Sequence, residues 1–284
     1  MPELSEKKIK HLEFMANTLR QDVIEMLAMA GSGHSAGSLG MADIFSALYF
    51  FILNHNPKKP AWPARDFLLL SNGHICPILY ASLARAGYFP LEELGTLRKL
   101  NSRLEGHPRR GRLSGVEISS GPLGSGLSEA IGLSLSLKLD KKKNHVFCLM
   151  SDGEHDCGNT WEAIMLAGKY RLNNLTAIID RNNIQISGFT EDVMPLESLR
   201  RKYESFNWQV LEIDGHNLES IVDAVNEAKA IFERPTAIIA HTIPGKGVDF
   251  MESDFTWHGK SPTEQEARIA LKKLRTLGGR LEEE

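Results

Sequence analysis

The 284-residue sequence predicts an α/β fold: a parallel sheet with helices on both faces. Three observations point there. Apolar runs at 146–150 (VFCLM) and 175–179 (LTAII) are too short for helices and too continuous for half-exposed strands, so both read as buried strands. Between them, Trp161, Ile164, Met165 and Gly168 fall at helical spacing over 158–170, which completes a βαβ unit. The alternation then resumes, with strands expected at 208–213 and 236–240 and a helix at 218–230.

The remaining elements follow in chain order. Ile9, Leu12, Ala16, Leu19, Val23, Met26 and Ala30 recur at steps of three and four, predicting an amphipathic helix over 5–30 that Gly31 ends. GSGHSAGSLG at 31–40 is too glycine-rich for regular structure, so His34 is expected in a loop before a second apolar helix at 41–53. A short strand at 67–70 carries Ser71-Asn72-Gly73-His74 at its carboxyl end, ahead of a helix at 77–85; Ser-Asn-Gly also serves as a plain turn and cap. Residues 100–120 lack periodicity. GPLGSG at 121–126 opens a helix to about 139 and exposes backbone N–H groups that can bind an anion or a polar ring, although the same glycines also suit close helix packing. Its order is not the G-x-G-x-x-G of dinucleotide sites.

After the strand at 236–240 comes a long polar loop, HTIPGKGVDFMESDFTWHGKS, in which Lys246 and His258 can donate to phosphate oxygens. It is no Walker A loop, because Asp254 stands at that motif's first glycine. Ser261-Pro262-Thr263-Glu264 reads as a capping box with proline at N1, starting a last helix whose end, about 276–284, is expected to fray.

Composition narrows the function. With 33 Lys and Arg against 36 Asp and Glu, the net charge of −3 excludes a nucleic-acid footprint. No apolar run reaches membrane-spanning length, and the first residues lack a signal region. Three cysteines without paired spacing fit a reducing cytoplasm, and Cys148 with Cys157 makes no zinc pair. The length suits one domain, 1–284, with one large core.

The chemistry gathers at the carboxyl edge of the sheet, where ligands bind in parallel α/β folds. Asp152 follows the first strand of the central unit, and Asp180, Asn182 and Asn183 follow the second. Neighbouring strands bring Asp152 and Asn182 within reach of one ion. A carboxylate, an amide oxygen and a backbone carbonyl suit Mg²⁺ or Ca²⁺ with coordination left for a phosphate, and Gly153 lets backbone approach that phosphate. Taken singly, Asp152-Gly153 is also a turn and Asn182-Asn183 a loop.

These residues carry a resemblance. Asp152-Gly153 followed by Asn182-Asn183 is similar to the thiamine-diphosphate motif, and SNGH, GHP (106–108), GPLG, WEA (161–163) and WHGK (257–260) resemble transketolase over residues 10 to 262. The resemblance covers the amino-terminal third to half of a full-length transketolase, the diphosphate-binding domain. It implies transfer of a two-carbon ketol group from a ketose phosphate to an aldose phosphate, in the pentose phosphate pathway, with thiamine diphosphate and Mg²⁺ (or Ca²⁺) as cofactors. Carried over residue by residue, it assigns the metal to Asp152, Asn182 and the Ile184 carbonyl, and the diphosphate to His74 and His258. Gly121, Pro122 and Leu123 would lie along the cofactor rings, with Gly153, Glu154 and Lys246 as further contacts. His34, His107 and His258 would orient substrate hydroxyls and assist proton transfers, a task suited to a pKa near neutrality.

The chain departs from the family at three places. Ser35-Ala36 replaces Pro-Gly after His34, Arg109 stands where an acid is common, and Cys157 takes the place of a glutamate that the family sets at its dimer interface. The last change predicts weaker coupling between two active sites, or merely a small thiol filling space. The family's pyrimidine domain, which supplies a glutamate to the cofactor's aminopyrimidine, is not expected here. The resemblance therefore implies a carboxy-terminal partner subunit, self-association through a dimer interface and a heterotetramer of two copies each. Two other readings stay open: the same half of a deoxyxylulose-phosphate-synthase-like or other ketose-specific enzyme, and a non-catalytic cofactor-binding assembly or regulatory subunit.

Overall fold

In the computed structural model, which describes residues 4–282, seven strands occur: β1 (Phe67–Leu70), β2 (Val146–Ser151), β3 (Leu175–Arg181), β4 (Ile184–Gln185), β5 (Gly188–Phe189), β6 (Gln209–Asp214) and β7 (Thr236–His241). Five form the central sheet in the order β1-β2-β3-β7-β6, and every pairing in it is parallel. β4 and β5 make a separate antiparallel hairpin beyond the end of β3.

The helices are α1 (Glu6–Ala30), α2 (Ala36–Gly40), α3 (Ala42–Ala47), α4 (Cys76–Arg85), α5 (Ser125–Leu139), α6 (Gly158–Tyr170), α7 (Thr190–Val193), α8 (Leu199–Ser205), α9 (Leu218–Ala230) and α10 (Glu264–Glu282). Residues 283 and 284, the end of the tail expected to fray, lie outside the described residues. Among the described residues no helix is long and apolar enough to cross a membrane.

Alternation along the strands splits the interior into two cores, one on each face. Phe147, Leu149, Ile178 and Ile238 meet residues of α1, α3, α4, α9 and α10 on one face. Val146, Cys148, Met150 and Ile179 meet α5, α6, α8 and Trp208 on the other. The fit is tight where α6 crosses the chain after α8: a Cβ on Gly168 would lie 1.9 Å from the Phe206 carbonyl oxygen, so glycine sets how closely they pack.

Three local expectations are corrected. The segment 31–40 is not wholly irregular, since 36–40 forms α2. Its glycines serve packing there: a Cβ on Gly37 would sit 2.9 Å from Ile75, and one on Gly40 would sit 3.0 Å from the Ile243 carbonyl. The helix expected over 41–53 is instead α3, ending in a π-helical turn at Leu48–Ile52. The capping box of α10 is shifted by two residues. Glu266 N–H donates to the Thr263 hydroxyl, and Thr263 N–H donates to the Glu266 carboxylate at 2.7 Å, which puts Pro262 ahead of the cap rather than at N1.

Candidate active site

The register of β2 on β3 sets Ser151 beside Asp180, so the turns leaving both strands, with Asp152 and Asn182, open on one side of the sheet. A cavity of about 480 Å³ lies there, a volume suited to a small-molecule ligand. His34 enters it from the bend between α1 and α2, His74 from the turn after β1, His107 from the irregular segment before α5, and His258 from the loop after β7. The His34 ring centroid is 5.0 Å from His74, 5.7 Å from His258 and 6.4 Å from His107, and His74 is 5.1 Å from His258.

Burial depresses all four pKa values: His34 falls to about 4, His74 well below the usual 6.5, and His107 and His258 shift the same way. Neighbouring rings and the Arg98 guanidinium add to the effect at His34, and Arg98 adds to it at His107. At neutral pH these are uncharged imidazoles, each with one N–H donor and one ring-nitrogen acceptor.

Polar atoms without partners mark where a ligand belongs. The buried side-chain atoms His34 Nδ1, both amide atoms of Asn72, and Ser120 Oγ have no hydrogen-bond partner. Such atoms cost about 1–3 kcal/mol each when left unpaired. Asn72 precedes Gly73-His74 and Ser120 precedes Gly121, so the orphans flank the histidines. A polar, anionic ligand in this space fits them.

The wall behind the cavity is the opposite case. Asp152 is fully buried; its Oδ1 accepts from Gly153 N–H at 2.7 Å, and its Oδ2 accepts from Arg181 Nη1 at 3.0 Å, Asn183 N–H at 2.8 Å and the Thr190 hydroxyl at 3.3 Å. Asn183 reaches Asp152 because its backbone is left-handed (φ 63°), a conformation asparagine tolerates. Arg181, itself buried, also holds Glu191 at 2.5 Å and Glu197 at 2.9 Å. Burial pushes the Asp152 carboxyl up, and the Arg181 charge with the backbone donors pulls it back.

Beside Asp152, the buried His155 donates from Nδ1 to the Asp152 carbonyl at 2.9 Å and accepts at Nε2 from the Tyr203 hydroxyl at 2.8 Å. Burial lowers its pKa to about 4. Asp180, pushed by burial to about 7, accepts from the Thr242 hydroxyl and from the Asn182 amide at 2.8 Å.

The structure brings His34, His74, His107, Gly121, Leu123, Gly153, Asn182, Ile184 and His258 to the cavity, together with Gln185, Ile186 and Ser187 of the β4–β5 hairpin. Asp152 stands directly behind it. Asn182 Oδ1 accepts one bond, from Ile184 N–H at 3.1 Å, and Asp152 Oδ1 accepts one, so each oxygen keeps a lone pair for a cation. Among the described residues no group of three or more His, Cys, Asp or Glu side chains could hold a metal, which leaves this mixed oxygen set as the candidate.

Besides Asp152, three expected contacts lie outside the cavity lining. Glu154 turns inward, because Ser71 Oγ, Gly124 N–H (2.7 Å) and Ser151 N–H (3.2 Å) all donate to its carboxylate. It braces β1, β2 and the start of α5, and Gly124, left-handed at φ 82°, presents the N–H that closes the brace. Pro122 is exposed to solvent, and Lys246 is half-buried on the loop after β7. Sequence reasoning passed over His155 and Arg181. An arginine at the end of an apolar strand was the one signal available for Arg181; for His155 there was none, since its partner Tyr203 lies far along the chain.

Comparison with known proteins gives the family. The family described as transketolase, thiamine diphosphate binding domain, matches residues 12–278. The chain is 41% identical to a 6-deoxy-6-sulfo-D-fructose transketolase subunit of Clostridium sp. (strain MSTE9), over 97% of this chain and 100% of that one. It is 37% identical to one subunit of the apulose-4-phosphate transketolase of Phocaeicola vulgatus, over 98% of both chains. The crystal structure of Campylobacter jejuni transketolase superposes with a TM-score of 0.83 at 33% identity, covering 96% of this chain and 48% of that one. The chain thus spans about half the length of that transketolase chain. A family match over nearly its whole length, joined to a histidine-lined cavity at the carboxyl edge of a parallel sheet, places this chain in the transketolase thiamine-diphosphate-binding domain family.

Proposed function

We propose that this chain is the diphosphate-binding subunit of a two-component transketolase. It would transfer a two-carbon ketol group from a ketose phosphate to an aldose phosphate, in the cytoplasm, together with a second subunit that carries the pyrimidine domain. The observation that carries the reading is the convergence of four uncharged histidines and unpartnered buried polar atoms on one cavity of a thiamine-diphosphate-binding domain. The two-component part is supported by relatives named as transketolase subunits that align over 98% or more of their own length.

Thiamine diphosphate, when bound, supplies the carbanion chemistry. The chain's residues bind and orient. Asp152, Asn182 and the Ile184 carbonyl would hold Mg²⁺ (or Ca²⁺), and His74 and His258 would donate to the diphosphate. Gly121 and Leu123 would flank the rings. His34, His107 and His258, kept neutral by burial, can each donate to a substrate hydroxyl or carbonyl oxygen and take up a proton at the free ring nitrogen.

Exposed apolar side chains on α6, Met165, Leu166 and Tyr170, support self-association, and two copies of each subunit would close both sites. The Clostridium relative's name favours a second reading of the substrate, a sulfonated ketose in place of the phosphate.

The deciding experiment is transfer of a labelled two-carbon unit, measured with the purified chain alone, with its partner, and with each sugar. Transfer is expected only on mixing. Robust turnover by the chain alone would overturn the two-component reading, and no turnover in the assembled complex would leave a non-catalytic cofactor-binding subunit.

A further inference from the structure

We propose that His216, which lies outside the histidine cavity, is a positioning residue for His34 and His258: its imidazole, aimed by Asp43, holds the Ile243 N–H and with it the base of the loop on which both rings depend. This role rests on the proposed reaction and adds to it a residue that touches neither cofactor nor substrate.

His216 reaches the loop through a close approach of backbone. β6 ends at Asp214, and the next amide, Gly215 N–H, donates to the His241 carbonyl at 2.8 Å. A Cβ on Gly215 would lie 2.6 Å from Thr242 Cγ2 and 3.0 Å from the His241 carbonyl oxygen, so glycine lets the turn after β6 lie against the end of β7. The Asp214 carboxylate accepts from His216 N–H at 2.8 Å, which fixes the backbone from which the ring projects.

The ring then takes the place of a strand. Thr242 N–H still donates to the Arg181 carbonyl of β3 at 3.3 Å, so by alternation the next amide, Ile243, faces the side on which β6 has already ended. His216 Nε2 accepts that N–H at 2.8 Å. A backbone N–H can only donate, so Nε2 carries the lone pair and Nδ1 the proton. Nδ1 faces Asp43 Oδ2 at 2.7 Å, and the buried Arg20 holds the same oxygen at 2.5 Å. Arg20 also donates from Nε to the Leu39 carbonyl at 3.2 Å. One tautomer satisfies both ends of the imidazole, and the network ties α1, α2 and α3 to the end of β7.

Both cavity histidines hang on that point. Gly245 N–H donates to the carbonyl of Ala36, two residues after His34, at 2.9 Å. The Pro244 carbonyl accepts from Ser253 N–H at 3.0 Å, which folds the intervening residues back onto the base and starts the short run to His258. Beyond His258, the Ser35 hydroxyl donates to the Lys260 carbonyl at 2.6 Å. The segments bearing His34 and His258 therefore meet at both ends of the loop, and the 5.7 Å between their rings depends on residues 243–245 staying in place.

The test compares wild type with His216→Leu, which removes both polar ends of the side chain, and His216→Gln, whose amide keeps one donor and one acceptor. Val225→Ala, a cavity in the buried core under α9, controls for lost stability. Hydrogen exchange of the full chain needs neither cofactor nor substrate. His216→Leu is expected to speed exchange at Ile243 and over residues 245–258 by roughly tenfold or more relative to the rest of the chain, His216→Gln to recover part of the protection, and Val225→Ala to show no such local effect.

In the assembled complex, well below the Tm of every variant, thiamine diphosphate affinity and kcat/KM should each fall roughly tenfold in His216→Leu, recover in part in His216→Gln and hold in Val225→Ala. Unaltered loop exchange in His216→Leu, unaltered affinity and kcat/KM despite faster exchange, or equal losses in Val225→Ala would overturn the positioning role and leave His216 as a fold contact. Faster loop exchange and weaker cofactor binding in His216→Leu, with no turnover by the wild-type complex, would uphold the anchor and sink the transketolase reading alone.

Discussion

The two sides of Asp152 are built on opposite principles. Behind it, every buried polar group is answered: Arg181 by three carboxylates, Glu154 by three donors, His155 by a carbonyl and a tyrosine hydroxyl. In front, His34, Asn72 and Ser120 keep buried polar atoms that nothing in the chain satisfies. Burial alone does not separate the two sides, since both are largely closed to solvent. The contrast shows that satisfaction, rather than polarity, separates groups that hold the fold from groups that wait for a ligand.

Removing Asp152 should have the largest effect, because it belongs to both sides. Asp152→Ala strips the only charged candidate ligand and leaves the buried Arg181 guanidinium with only its two more exposed partners, Glu191 and Glu197. We expect calorimetry of the assembled complex to show metal-dependent thiamine diphosphate affinity falling by more than about a hundredfold, and unfolding to show a loss of roughly 3–5 kcal/mol. Asn182→Ala should weaken affinity less and leave stability nearer wild type. Full cofactor affinity in both variants would show that the anchor lies elsewhere.

The wall can be probed alone. Glu154→Gln replaces one of the two accepting oxygens by an NH2 donor, which then faces either the Ser151 N–H or the Ser71 and Gly124 donors, so about 1–3 kcal/mol of stability should disappear from chemical denaturation. Normal stability joined to lost cofactor affinity would instead move Glu154 to the ligand side.

Acid should loosen the same wall. His155 has a folded pKa of about 4 against an unfolded value near 6.5, so below pH 6.5 the unfolded chain binds the extra proton. Its stabilising contribution is complete above pH 6.5 and lost as the pH falls toward 4. By pH 5 it should have cost about 2 kcal/mol, seen as a falling Tm whose slope is shallower in His155→Gln. Parallel profiles for the two proteins would mean that His155 is not the group responsible.

The front predicts the reverse pattern. Asn72→Ala removes two unpaired buried atoms and should leave Tm within about 2 °C of wild type, or raise it, while cofactor affinity falls roughly tenfold. A drop in Tm like that of Glu154→Gln would erase the distinction between the two sides. The smallest effect belongs to Cys157, half-buried at the start of α6. In the proposed assembly of two sites, Cys157→Glu should alter the cooperativity of cofactor binding without changing activity severalfold; unaltered cooperativity and assembly would mark the thiol as packing.

Much of the sheet was legible because buried parallel strands leave unbroken apolar runs: residues 146–150 and 175–179 mark β2 and β3 to within two residues at either end. The motif residues near the cavity were legible because each lies just past a strand or in a glycine-rich turn. What escaped depended on partners distant in sequence. The hairpin β4–β5 has two-residue strands and no periodicity to read, α8 is a single short helix, and Arg181 reads as surface charge until Asp152, Glu191 and Glu197 are seen around it. The inward turn of Glu154 escaped for the same reason, since its three donors come from separate segments.

Arg181 also makes the wall unevenly sensitive to ionic strength. Its pair with Asp152 has both side chains almost wholly out of solvent, with 3% and 1% exposed, whereas Glu191 and Glu197 are 39% and 57% exposed. Mobile ions at physiological concentration screen charge over about 8 Å of water but penetrate the interior poorly. Added salt should therefore loosen Glu191 and Glu197 from Arg181 while the inner pair with Asp152 persists, so that the site keeps its arginine when the surface loses its hold on it.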